Sequence, residues 1–169
     1  MQSVAIILLC VFFAISYGIA HDQVTARICV EYFTIGHPPV FGTDDPTLLG
    51  IGWGVIATWW VGLLLGVPLA VAARVGRRPK RSVRSLVWPL SILMMVMAGC
   101  ALLAGIIGWI LAENGTIRLV DPLARRVPAV KHVPFLADGW AHSASYIVGF
   151  IGGIEVIVLV WRSRARNEQ

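Results

Sequence analysis

The stretch LLGIGWGVIATWWVGLLLGVPLAVAA, residues 48–73, carries no charge, and its only hydroxyl is that of Thr58. A helix needs roughly 20 apolar residues to cross a bilayer, and one that is apolar on every side belongs inside lipid or a large core. A chain of 169 residues has no core large enough to hide it. Three further apolar stretches, 3–20, 86–112 and 140–161, meet or approach the same length. The expected fold is therefore all-α and integral to the membrane: four transmembrane helices in one bundle, with residues 1–169 as a single domain. Composition agrees. Hydrophobic residues make up 57% of the chain and charged residues 14%, against roughly a quarter charged in soluble domains; mean hydropathy is +0.78. The first stretch reads as a retained helix, because MQSV has no basic residue and YGIAHDQ is a poor signal-cleavage site.

Charge orients the bundle. Arg74, Arg77, Arg78, Lys80, Arg81 and Arg84 crowd the connection after the second stretch, and Arg162, Arg164 and Arg166 follow the fourth. The other connections mix Arg27, Arg118, Arg125, Arg126 and Lys131 with a slight excess of acids. The positive-inside rule then places both termini in the cytoplasm and the long connections, 21–47 and 113–139, outside. The expected location is the cell inner membrane. Topology and anionic lipid explain the net charge of +5, so nucleic acid is not an expected partner. The three cysteines show no CxxC or zinc-type spacing.

Small residues recur every fourth position at Gly50, Gly54, Thr58, Gly62, Gly66 and Ala70, and again at Ala141, Ser145, Gly149 and Gly153. A weaker run is Ala104, Gly108 and Ala112. Close approach at small residues carries helix packing in lipid, which predicts that the second and fourth helices cross closely, within one chain, in a homo-oligomer or against a partner subunit. Pro68 should kink the second helix. Trp59 and Trp60 sit too deep for an interfacial belt and either face lipid or line a pocket. The connection 113–139, interrupted by Pro122, Pro128 and Pro134, reads as a segment lying on the bilayer or over the bundle.

Varied chemistry concentrates in YGIAHDQVTARICVEYFTIGHPP, residues 17–39. On an unbroken helix His21, Thr25, Ile28 and Tyr32 share one face with Asp22 and Cys29 beside it, and Arg27 and Glu31 are spaced for an ion pair. His21 and Glu31 would stand roughly 15 Å apart, so a chelating site needs a break or ligands from elsewhere. His37, His132 and His142 fall on the same outer side, with Asp138 four residues before His142. The ligand or polar-face candidates are His21, Asp22, Thr25, Arg27, Glu31 and Tyr32; the metal-ligand candidates are His21, His37, His142 and Asp138. Imidazole and carboxylate suit a divalent transition metal. Water and headgroups at a helix end satisfy the same residues equally well. Glu155 is the one carboxylate inside an apolar stretch, roughly 9 Å from its inner end, and such a group is a functional candidate by default.

The run YGIAHDQVTARICVEYFT resembles one found in small multi-pass bacterial membrane proteins of uncharacterised function, through His21, Asp22, Gln23, Thr25, Glu31, Tyr32 and Thr34. The resemblance covers the first quarter of the chain and implies a bacterial inner-membrane location and no activity. Three functional expectations follow from the residues. The first is a non-enzymatic membrane protein whose outward polar face binds a ligand, metal ion or partner subunit. The second is a metal-dependent membrane enzyme with a His/carboxylate site at the outer interface. The third is a transporter using Glu155.

Overall fold

The computed structural model describes residues 1–166, and the side chain of Arg166 lies outside what it describes. Helices α1 (Gln2–Ile28), α2 (Val30–Thr34), α3 (Pro46–Ile56), α4 (Trp59–Arg74), α5 (Arg84–Glu113), α6 (Leu123–Arg126) and α7 (His132–Arg166) follow in order, with a 3₁₀ turn at Ala129–Lys131. No strand occurs among the described residues. Four segments are long and apolar enough to cross a membrane: α1, α3 with α4, α5, and α7 with the turn before it. The helices form a ring in which α1 packs on α3/α4, α4 on α7, α7 on α5, and α5 more loosely back on α1.

Two of the helices run well past the apolar stretches that announced them. The first continues from the expected limit at residue 20 to Ile28, and the last begins at His132 instead of 140. The added turns carry His21, Asp22 and Asp138, and Asp22 meets His142 of α7 inside the bundle, so polarity on these turns faces another helix and the helix continues past it. Cys29 then adopts an extended conformation (φ −147°, ψ 93°) and separates α1 from the single turn α2.

The second span is broken where no proline stands. The α-helix passes through Pro68 without interruption and is instead divided at Ala57–Thr58. There the Thr58 N–H reaches Val55 O at 3.3 Å, while the Thr58 hydroxyl donates to the Gly54 carbonyl that the regular helix would have paired with that N–H. A Thr hydroxyl bonding back one turn competes with the backbone ladder in this way. The Tyr146 hydroxyl also donates to Ala57 O at 3.4 Å, tying the break to α7.

The glycine stripe of α3/α4 faces α1, which corrects the expectation that it would meet the fourth helix. A Cβ added at Gly54 would stand 2.5 Å from Ile19 N, and one at Gly62 would stand 2.6 Å from Val11 Cα. The stripe on α7 is shared: Gly149 meets Met97 of α5 and Gly153 meets Leu65 of α4. Small residues specify close approach, and the same stripe serves whichever helix the chain delivers to it.

The connection between α5 and α7 folds over one end of the bundle. Val127 and Phe135 pack with Cys29 in a small apolar cluster, and Lys131 pairs with Glu31 at 3.4 Å. At the other end Arg164, fully buried, donates to the carbonyls of Ala72, Val75, Arg78 and Pro79. Its guanidinium thereby satisfies carbonyls that the end of α4 leaves unpaired.

A methyl at Gly54 would meet fixed backbone, so Gly54→Ala must push α1 and α3 apart. The expected loss is about 1–3 kcal/mol, read as a lowered unfolding temperature in detergent. Gly99→Ala, which meets nothing within 4 Å, should leave stability unchanged or slightly raised.

Candidate metal centre

Polar residues at these ends of α1 and α7 meet inside the ring. His21, Asp22 and His142 each offer a ligand atom, and these atoms all lie within 4.8 Å of one another. Two ligands on a tetrahedral ion with bonds of about 2.1 Å stand about 3.4 Å apart, so modest side-chain rotation closes the set. Asp22 is 5% exposed and His142 9%.

Hydrogen bonding assigns the His142 ring. Its Nδ1 lies 2.8 Å from Asp138 O, one turn back on the same helix. A carbonyl only accepts, so Nδ1 carries the proton and donates it. Nε2 then faces Asp22 Oδ1 at 3.2 Å. In the neutral ring Nε2 is a lone pair directed at a carboxylate, an arrangement that calls for a proton or a cation between them. The His21 ring stands edge-on to that of His142, with centroids 4.5 Å apart, and its Nε2 is buried with no hydrogen-bond partner. Among the described residues, Asp138 Oδ2 is the other buried side-chain polar atom without one.

A cavity of about 140 Å³ runs up the centre of the bundle and is lined by all three cluster residues, with Tyr32, Ser145 and Tyr146 also in its wall. Tyr17 stacks on His21 and shares a 2.8 Å hydrogen bond with Ser145. Burial first, and then the neighbouring Asp138 carboxyl, pushes the Tyr32 phenol above its ordinary value of 10. It stays protonated at neutral pH, with its ring 4.5 Å from that of His142.

Of the four metal-ligand candidates, His21 and His142 enter the cluster, with Asp22 as the third member; His37 and Asp138 stand outside it. His37 Nδ1 lies 2.9 Å from Tyr32 O, and its ring packs on Trp53 at 4.6 Å, roofing the cavity. Asp138 contributes its backbone carbonyl to His142. His132 Nε2 lies 3.0 Å from Val127 O and serves the connection.

Among the polar-face candidates, Thr25 is buried and donates to His21 O at 3.2 Å. Arg27 and Glu31 do not pair, because the break at Cys29 removes their helical register. Arg27 instead donates to Gln23 Oε1 and Thr47 Oγ1, latching α1 to the start of α3. Glu31 takes Lys131 and accepts from the Cys29 thiol at 3.4 Å. Burial raises the Glu31 carboxyl, but its own backbone N–H, Cys29 and Lys131 outweigh that and hold it below its ordinary value.

Glu155 is exposed and lines neither the central cavity nor the larger groove between α1, α5 and α7. Trp59 and Trp60 are both about half exposed and outside the central cavity's wall. The sequence did not single out Tyr17 or Tyr146, and it marked Ser145 only as a packing residue. Helical spacing held the signal, since Tyr17 lies four residues before His21 and Ser145 three after His142.

Compared with family models, curated proteins and solved structures, the chain matches none.

Burial is the main cause that pushes the Cys29 thiol from an ordinary 9.0 up to about 12. With the folded value raised, its contribution to stability is complete below pH 9 and is lost as pH climbs towards 12. N-ethylmaleimide at pH 8 should therefore leave Cys29 unmodified in the folded protein and modify it after SDS denaturation, as read by peptide mass spectrometry. Modification at the denatured rate would mean that the α1–α2 break is open to solvent.

Proposed function

We propose that this chain is a multi-pass inner-membrane metalloprotein holding one divalent transition-metal ion between His21, Asp22 and His142. The observation that carries this reading is the buried, unpartnered His21 Nε2 beside the His142–Asp22 pair. Three groups with lone pairs converge, and the protein supplies no donor for one of them. The backbone carbonyl that fixes the His142 tautomer is the kind of outer partner that orients metal-binding histidines.

Two imidazoles and one carboxylate form a donor set used for zinc and for non-haem iron, with positions left open for water or substrate. The central cavity reaches the cluster, so an ion there would have room for a further ligand. That favours a metal-dependent enzyme over a purely structural site. A bound ion would act as a Lewis acid or lower the pKa of coordinated water. The chain's own contribution is to orient both rings, keep the Tyr32 phenol protonated nearby and restrict water. The distribution of basic residues supports cytoplasmic termini, which would place the centre in the outer half of the bilayer.

Elemental mass spectrometry of detergent-purified protein should find near-stoichiometric zinc, iron or manganese. His21→Ala, Asp22→Asn and His142→Ala should each remove it. His37→Ala should keep the metal, because His37 hydrogen-bonds Tyr32 O and none of the three ligands. Metal-free wild-type protein that also fails to take up added ions would reduce the cluster to a hydrogen-bonded pair.

A further inference from the structure

The loosest contact in the ring, between α1 and α5, opens into a groove of about 570 Å³ bounded at its floor by α7. This lies within the range of about 300–1,000 Å³ found for small-molecule sites. Small residues of α5, among them Ala98, Ala101 and Gly105, leave the space, while exposed Val24 of α1 and Ile106 of α5 form apolar walls. These walls belong to segments that would face lipid, so the groove opens sideways into the membrane and not towards water.

Its polar end is unusual. His21 lines both this groove and the central cavity, and Asp138 lines the groove from α7. Among the described residues they own the two buried side-chain polar atoms that lack partners, His21 Nε2 and Asp138 Oδ2. With the ion on His21 Nε2, a hydrocarbon chain filling the groove would still leave Asp138 Oδ2 without a partner. An occupant that suits both ends has an apolar tail for the walls and a head with an oxygen ligand and an O–H or N–H donor. The oxygen would complete the metal's coordination, and the donor would meet Asp138.

Resting on the metal reading above, we infer that the centre acts on or senses a single-chain amphiphile, which enters laterally from the bilayer along the α1–α5 groove with its oxygen-bearing head at His21 and Asp138. A water-soluble ligand would gain nothing from these apolar walls. A lipid-phase ligand would owe its affinity to them.

The test uses full-length protein loaded with Co²⁺, whose visible spectrum reports both ion binding and a new ligand. Dodecanohydroxamic acid and acetohydroxamic acid share one chelating head and differ in tail. In the wild type the long compound should perturb the spectrum at a concentration lower by about tenfold or more. Gly105→Leu and Val24→Trp fill the groove from opposite walls. A Cβ at Gly105 makes only ordinary contacts with α7, at 3.5 and 3.6 Å, and Val24 is exposed; the cobalt spectrum of each variant shows whether it has folded. Each should lose the tail advantage by about tenfold or more, the scale of inserting a side chain into filled space. Partition into micelles is common to wild type and variants and cancels in the comparison. Equal midpoints for the two compounds in the wild type, or an advantage untouched by both variants, would overturn the groove while the cobalt spectrum upheld the metal centre. Absence of any cobalt spectrum in the wild type would overturn both.

Discussion

The backbone-to-backbone contact of α1 with α3, where Gly18 and Gly54 leave no room for a side chain, is the constraint on which the candidate centre depends. In lipid there is little hydrophobic gain from bringing two helices together, and dispersion at close range must supply it. That close range also fixes height and rotation. A Cβ at Gly50 would stand 3.1 Å from the Asp22 carbonyl carbon and oxygen, one turn from the Gly18–Gly54 contact. The seam therefore clamps α1 at the level of His21 and Asp22. Neighbouring residues on a helix diverge by about 100°. With α1 held against α3, His21 is left facing both the central cavity and the groove along α5.

α7 completes the arrangement from the opposite side of the ring. Its small residues let it lie against both α4 and α5, which brings His142 between the two α1 residues. Taking a carboxylate and two imidazoles out of water costs several kcal/mol per ion if they are charged. Burial of this kind adds little to stability compared with an apolar core. Polar groups on helices apolar enough to span a membrane are accordingly functional candidates by default, and here several of them converge on one cavity. Glu155, by contrast, is alone and exposed, and the same principle has nothing to build on there.

Apolar length made four helices legible in the sequence, and periodicity made their small-residue seams legible. Neither could name the partner of each seam, because glycine records that something comes close without recording what. Helix ends were misjudged in one direction. His21 and Asp22 looked like the polar end of a span, and Asp138 and His142 like a connection or a helix start, because hydropathy cannot tell polarity that meets water from polarity that meets another helix. The break at Thr58 was hidden behind Pro68, a stronger breaker in isolation that the helix absorbs. The Arg27–Glu31 pair failed through one extended residue, Cys29, which carries no turn signal of its own. That all the histidines fall at the ends assigned to one side did point towards the cluster. Which of them converge depended on long-range packing.

The chemistry of the cluster turns on the lone pair at His142 Nε2. If it carries a proton, an imidazolium faces the Asp22 carboxylate and the pair is internally satisfied. If the proton sits on Asp22 instead, the pair is neutral and equally closed. Both arrangements account for two residues and leave His21 Nε2, stacked beneath Tyr17 and edge-on to His142, buried without a partner. An unpaired buried polar group costs about 1–3 kcal/mol, and two helices would have been held in register to produce that deficit. A divalent cation would take the lone pairs of both imidazoles and the charge of the carboxylate together. It would also give a purpose to the Asp138 carbonyl, which holds the His142 proton on the far nitrogen and leaves the near one facing the cluster.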